Sequence, residues 1–264
     1  REQLFWLDIL NRNLHSQRKG KPLSWAFPEM ASAAGWTGRD TLVLASETGL
    51  STFDIRTGKR TLFCPVGTAE TRSNDGRADR RGGFWFSTMG KRTETGAGTI
   101  WRWYRGELRQ LFPGITIPNS ICFTPDGRAA HFSDTISGKV MKVALDAEGW
   151  PVGQPEVWLD LKAEGLNPDG AIIDAEGRFW NAQWGAGRVA AYAPDGSFVT
   201  AVETPGAPHS SCPAFGGPDM KTLFITTALE HLDAAARVAN PASGQVFAFP
   251  GIATGLPEPQ VILQ

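Results

Sequence analysis

The chain reads as an all-β protein: a six-bladed β-propeller with four-stranded blades, the first blade incomplete at the N-terminus. Three observations predict it. Glycine (30) and proline (18) punctuate the whole length and Trp (10) and Phe (15) are abundant. No stretch sustains a 3.6-residue apolar period, so the pattern is one of many short strands and turns. Polar strand openings recur at propeller-repeat length, with 45 residues from Asn74 to Asn119 and 50 from Asn119 to Asp169. Each repeat is also one phrase: a polar opening, an apolar strand, a D-x-x-G type turn, a second strand with Trp or Phe, then Gly and a third strand. Such units supply about four short strands each, and their radial repetition is a propeller.

Taken in order, residues 1–27 (REQLFWLDILNRNLHSQRKGKPLSWAF) match only the second, third and fourth strands of the phrase. A less polar copy begins near Ala33. Asn74 opens SNDGRADRRGGFWFSTMG, continued by GTIWRWYRGELRQLF, and Asn119 opens PNSICFTPDGRAAHFSDTISGKVMKVALDAEG. Asp169 opens PDGAIIDAEGRFWNAQWGAGRVAAYAPDGSFVTAV, and Ser211 opens SCPAFGGPDMKTLFITTA, followed after an insertion by SGQVFAFPG. Glycines in Pro125-Asp126-Gly127, Ala175-Glu176-Gly177 and Pro194-Asp195-Gly196 fall where a tight turn wants positive φ. No linker interrupts the repeats, so residues 1–264 are expected to form a single propeller domain.

Composition excludes several function classes. Net charge is −1, from 26 basic and 27 acidic residues, so no global field would draw nucleic acid or an anionic membrane. Cys64, Cys122 and Cys212 are odd in number, far apart and without C-x-x-C spacing. Neither a disulfide framework nor a zinc finger is indicated, and a reducing cytoplasm fits. No apolar run of about 18 residues appears, so no membrane partner is expected.

In a closed ring, equivalent residues of successive repeats converge on the axis. Asn74, Asn119, Asp169 and Ser210 or Ser211 are therefore predicted neighbours. One carboxylate among carboxamide oxygens is a hard-oxygen set suited to a single divalent ion: Ca²⁺, Mg²⁺ or Mn²⁺, with Zn²⁺ admissible where water completes the shell. The competing reading is local: Asn-Gly and Asp-Gly pairs form turns, and Asx side chains cap nearby backbone. Recurrence at equivalent repeat positions favours the site. Lys91 and Arg92 follow Ser87-Thr88-Met89-Gly90 in a loop over the axis, where they would suit an anionic substituent on a substrate, or simply be solvated beside Glu94. Trp184 follows a strand ending at the axis and would offer a ring face for stacking, or simply pack between blades like the other tryptophans, whereas His209 reads as an ordinary loop histidine. Ser87-Thr88 and Ser210-Ser211 lack a G-x-S-x-G elbow, so no serine nucleophile is indicated.

The motifs Arg72-Ser73-Asn74-Asp75-Gly76 with Asp79, Pro118-Asn119-Ser120, Pro168-Asp169-Gly170 with Asp174, Gly177 and Trp180, and Phe215-Gly216-Gly217 resemble the regucalcin and gluconolactonase (senescence marker protein) family. Leu4-Phe5-Trp6-Leu7-Asp8-Ile9 is similar to that family's first-blade strand, and the resemblance runs over nearly the whole chain. It implies a six-bladed propeller that hydrolyses sugar lactones with one divalent cation. Residue by residue, it makes Asn119 and Asp169 metal ligands and Arg72 and Asn74 substrate-binding residues. It also implies a Glu ligand in a G-E-G-P or G-E-S-P phrase, which would lie upstream of Arg1. Glu2 is no substitute, since it falls inside the following strand.

This reading expects a lactonase acting on an aldonolactone, with the cation polarising the lactone carbonyl and Asp169 serving as ligand and general base. The alternative is a non-catalytic, calcium-binding, regucalcin-like propeller. A phosphotriesterase-like or strictosidine-synthase-like propeller would carry other residues than the Arg72–Asn74 pair.

Overall fold

The computed structural model describes residues 3–264 and shows the predicted six-bladed β-propeller architecture. Glu2 lies outside the described residues. Six antiparallel sheets follow one another along the chain, each built from strands that are consecutive in sequence. Their contacts group the chain into two compact units.

The first unit holds residues 1–118, 147–151 and 258–264. Its first sheet joins β1 (Phe5–Asp8), β2 (Asn13–Arg18) and β3 (Lys21–Ala26), three strands as the truncated first repeat predicts. The second joins β4 (Ala31–Gly38), β5 (Thr41–Ser46), β6 (Gly49–Asp54) and β7 (Arg60–Pro65). The third joins β8 (Thr71–Ala78), β9 (Phe84–Gly90), β10 (Gly98–Tyr104) and β11 (Glu107–Ile115). Alternating apolar positions of the second and third sheets close over a core of Val43, Leu50, Phe84 and Phe86. Into this core comes Val261, 1 % exposed, from a segment that has left the sheets. Its amide donates to Trp36 O at 2.8 Å, and the amide of Ile262 donates to Gly82 O at 2.8 Å.

The second unit holds residues 119–146 and 152–257. Its sheets are β12 (Pro118–Phe123) to β15 through β13 (Ala129–Asp134) and β14 (Lys139–Leu145), with β15 spanning Pro151–Asp160. Next come β16 (Asn167–Ile173), β17 (Phe179–Trp184), β18 (Arg188–Tyr192) and β19 (Phe198–Glu203). The sixth sheet has only β20 (Ser210–Gly216), β21 (Thr222–Thr227) and β22 (Val246–Pro250), a short helix α1 (Ala234–Ala239) filling the insertion. No fourth strand follows β22 among the described residues: the backbone turns at Gly251 (φ 76°), and residues 258–264 group with the first unit. Trp180, 1 % exposed, packs edge-on against Phe215. The three turn glycines have the expected positive φ: Gly127 69°, Gly177 84° and Gly196 87°. Among the described residues no helix is long and apolar enough to cross a membrane.

Four of the strands that open repeats carry the same defect. The register of β4 on β5 slips between Ala31 and Ala33, that of β8 on β9 between Ser73 and Gly76, that of β16 on β17 between Pro168 and Ala171, and that of β20 on β21 between Ser210 and Cys212. A bulge of this kind re-aims the extra side chains out of the strict up-and-down alternation. Among those side chains are three residues singled out by their spacing, Asn74, Asp169 and Ser211, while Ser32 takes the equivalent place in the less polar copy.

The Asp-Gly pairs at 75–76 and 169–170 therefore lie within strands, and neither glycine has a positive φ. Their reason is close approach of a neighbouring opening strand. A Cβ on Gly76 would stand 2.9 Å from the Ala33 Cβ, and one on Gly170 would stand 2.7 Å from Ser211 O and 2.9 Å from the Cys212 Sγ.

Candidate lactonase site

In the second unit the openings of β12 and β16 are laced together by hydroxyls. Asn119 is 5 % exposed, and its Nδ2 donates to Thr135 Oγ1 at 2.8 Å. Thr135 Oγ1 in turn donates to Pro168 O at 2.7 Å. A second connection runs alongside: Ser133 Oγ donates to Ser120 Oγ at 2.9 Å, and Ser120 Oγ donates to Asp169 O at 2.5 Å. Asn181 is fully buried on β17, and its Nδ2 reaches Ser120 Oγ and Asp169 O at 3.2 Å each and Gly170 O at 3.3 Å. Ser120 adopts φ 59°, a left-handed conformation costly for a residue with a Cβ. Its buried hydroxyl bonds hold it there. Asn119 and Asp169 are thus brought together through shared partners, with the backbone on either side of Asp169 fixed.

In the first unit Arg72 and Asn74 meet directly. Arg72 Nη1 donates to Asn74 Oδ1 at 2.8 Å and to Ser73 O at 3.0 Å. Asn74 Nδ2 donates to Pro118 O at 3.0 Å, the carbonyl immediately preceding Asn119 in the chain. Ser73 Oγ accepts from Ser32 Oγ at 2.7 Å and donates to Ala45 O at 3.1 Å, tying β8 back to the second sheet. The guanidinium thereby sets the Asn74 carboxamide, the directional pairing that recognition of hydroxyls or a carbonyl needs.

The basic loop is arranged differently. Lys91 Nζ pairs with Glu47 Oε1 at 2.5 Å, and Arg92 Nε pairs with Glu94 Oε1 at 3.0 Å with its side chain 86 % exposed. Burial alone would raise the Glu47 carboxyl, but the Lys91 ammonium and the Met30 amide outweigh it and hold it below the usual carboxylate value. The Glu47–Lys91 pair helps line a cavity of about 490 Å³ with Glu29, Thr48 and Thr68. Each of the two cations already faces a carboxylate. Trp184 stacks face to face on His209, centroids 4.2 Å apart and planes 10° from parallel, and burial lowers the basicity of that imidazole. Ser210 Oγ pairs with Thr204 Oγ1 and Ser211 Oγ with Thr226 Oγ1, both at 2.8 Å.

Three residues that organise these openings, Ser120, Thr135 and Asn181, were not among the predicted site residues. A signal existed for Asn181: an amide inside the otherwise apolar run Phe179-Trp180-Asn181-Ala182 is buried only when the site requires it. Thr135 carried none, since it lies in a turn.

The donor set can be weighed for a divalent cation. Among the described residues no three His, Cys, Asp or Glu side chains gather. To such an ion the described residues would offer one carboxylate, Asp169, and the Asn119 carboxamide. That neutral-rich oxygen set fits a hard cation and disfavours a thiolate- or imidazole-seeking one.

The sequence model of the SMP-30/gluconolactonase/LRE-like region matches residues 1–229. The chain is 32% identical over 265 residues to the 6-deoxy-6-sulfogluconolactonase of Pseudomonas putida, covering 98% of this chain and 91% of that protein. It is 34% identical over 253 residues to the L-arabinolactonase of Azospirillum brasilense, covering 92% and 83%. Among solved structures, a calcium-binding protein, regucalcin, from Agrobacterium tumefaciens strain C58 superposes with a TM-score of 0.97 at 40% identity, over 99% of this chain and 90% of that one. Fold and sequence together define a propeller of the lactonase and regucalcin class. The chain belongs to the SMP-30/gluconolactonase/LRE-like family.

Proposed function

We propose that this protein hydrolyses a sugar lactone to the corresponding aldonic acid with the help of one divalent metal ion. The observation that carries the reading is the pinned pair Asn119 and Asp169 at the openings of β12 and β16, in a chain whose relatives include named lactonases. Asn119 and Asp169 would hold the cation, with further oxygen donors and water completing its shell. Bound there, a divalent cation supplies Lewis-acid stabilisation of negative charge on the lactone carbonyl oxygen.

The chain's own residues supply the rest. Lactone opening needs a water oxygen added to the carbonyl carbon and a proton delivered to the ring oxygen as the ester bond breaks. The Asp169 carboxylate accepts the proton of the attacking water and returns it to the departing ring oxygen, so it ends the cycle as it began. Arg72, its guanidinium fixed on Asn74, orients the sugar hydroxyls. Lys91 and Arg92 have a smaller part: an anionic substituent would have to compete with Glu47 and Glu94.

The test is proton release from a panel of aldonolactones, with full chain untreated, stripped with chelator, and resupplied in turn with Ca²⁺, Zn²⁺, Mg²⁺ and Mn²⁺. Chelator-sensitive turnover restored by one of these ions is expected. Metal binding without turnover of any lactone would replace the lactonase by a binding protein. Turnover indifferent to chelation would remove the metal from the mechanism.

A further inference from the structure

We propose that Thr135 is a positioning residue that selects which atom of the Asn119 carboxamide faces the site. The inference rests on the reading of Asn119 and Asp169 as cation ligands. Thr135 lies just past β13 in a turn whose backbone is fixed. Gly138 N donates to Asp134 O at 3.0 Å, Ser137 Oγ donates to the same carbonyl at 3.0 Å, and Ile136 N donates to Asp134 Oδ1 at 3.2 Å. The hydroxyl it presents has one proton and two lone pairs.

That proton goes to Pro168 O, at 2.7 Å. Towards Asn119 the hydroxyl therefore offers only a lone pair, and only an N–H can meet it. The Asn119 Nδ2 does so at 2.8 Å. Turning the carboxamide over would set Oδ1 against Oγ1 with no proton between two lone-pair-bearing oxygens. Thr135 thus fixes Nδ2 on its own side and turns Oδ1, the atom a hard cation requires, the other way.

The same hydroxyl grips the carbonyl of Pro168, the residue before Asp169. One side chain therefore sets the rotation of one ligand and the placement of the strand that carries the next. Ser120 and Asn181 hold the far side of Asp169 through its own carbonyl and that of Gly170.

The experiment compares wild type with Thr135→Val, which keeps the shape and removes the acceptor, and Thr135→Ser, which restores it. Mn²⁺ affinity of the chelator-stripped full chain is measured by calorimetry and by electron paramagnetic resonance. Alongside it, the side-chain ¹H–¹⁵N resonances of Asn119 are followed in metal-free protein, assigned by their loss in Asn119→Asp. The valine variant is expected to bind Mn²⁺ about 10- to 100-fold more weakly, the range for loss of a partner that orients a metal ligand. Serine should return the affinity to near wild type. One Asn119 amide proton should be protected from exchange in wild type and Thr135→Ser and unprotected in Thr135→Val.

Wild-type Mn²⁺ affinity in Thr135→Val would overturn the proposal, as would a lowered melting temperature with affinity unchanged, which is what a purely structural threonine gives. If the valine chain does not fold, an unprotected Asn119 amide in wild type overturns it equally. A wild type that binds no Mn²⁺ while retaining the protected amide locates the failure in the cation reading of the site, and the positioning role falls with it.

Discussion

Asp169 is the residue on which most of the chemistry converges, and its replacement separates proton transfer from folding. Its backbone carbonyl is held by Ser120 and Asn181, neither of which touches its carboxylate in the bonds described above. Asp169→Asn should therefore keep the fold while lowering kcat by about 10²- to 10⁴-fold, the usual contribution of a positioned acid–base group. Lactone turnover followed by proton release, with circular dichroism as the folding control, checks this. His131 makes the opposite kind of prediction, in stability alone. It is 3 % exposed, lies edge-on to Trp158 at 4.7 Å, and neither ring nitrogen has a hydrogen-bond partner. Burial, seconded by Lys142 across the β13–β14 ladder, pushes its pKa down to about 3 from 6.5. The folded protein thus holds this imidazole neutral where the unfolded chain protonates it. The sign follows: the contribution is fully present above pH 6.5 and is lost as pH falls towards 3, at about 1.4 kcal/mol per pH unit. Urea midpoints at pH 7, 5 and 4 should fall less steeply in His131→Phe than in wild type.

At the scale of elements, the opening strands β8 and β16 are each followed by an aspartate that closes the turn. After β8, Asp79 Oδ1 accepts the amides of Arg81 and Gly83 at 2.8 and 3.0 Å, while Oδ2 takes Arg102 Nε at 2.7 Å. After β16, Asp174 does the same for Glu176 and Arg178, and adds the Trp180 indole N–H at 2.8 Å. Arg102 is fully buried on β10, between the rings of Tyr104 and Trp150 at 4.4 and 4.1 Å. Arg102→Met would leave a buried carboxylate without its cation, and a loss of about 3–5 kcal/mol is expected from guanidinium unfolding. Adding Asp79→Asn should recover part of it. These elements also mark what sequence could reveal. The motif aspartates 79 and 174 and Trp180 were visible as a phrase, and their work proves to be turn closure and packing. The period of polar openings was visible because several blades carry a bulge at the equivalent place. The bulge itself was not: Asn74-Asp75-Gly76 and Asp169-Gly170 spell turns to any local reading, and only the adjacent strand, pressing on Gly76 and Gly170, explains the glycines. Thr135 was illegible for a related reason. Its importance comes from Asn119 and Pro168, 16 and 33 residues away in the chain.

At the scale of the molecule, residues 258–264 behave as part of a unit that otherwise begins the sequence. Trp36 Nε1 donates to Glu258 O at 2.8 Å, Arg77 pairs with the Glu258 carboxylate, and Val261 fills a place so tight that a Cβ on Gly35 would stand 2.6 Å from its Cγ2. Burying a valine side chain contributes roughly 1.5–3 kcal/mol. Ending the chain at Pro257 should therefore lower stability by at least about 2 kcal/mol, read as a shifted denaturant midpoint with a slope close to that of the full chain. Six sheets of consecutive strands were predictable from the repeats, whereas the grouping of residues 258–264 with the first unit was not, because no local pattern marks the partner of a segment outside the sheets. The arrangement also bears on how the protein comes into being. At about 5–20 residues per second of synthesis, residue 261 emerges roughly ten seconds or more after residue 118. Until then the second and third sheets stand with an open slot beside Gly35 and Gly82. A nascent chain in that state exposes apolar surface that residues 258–264 are shaped to cover.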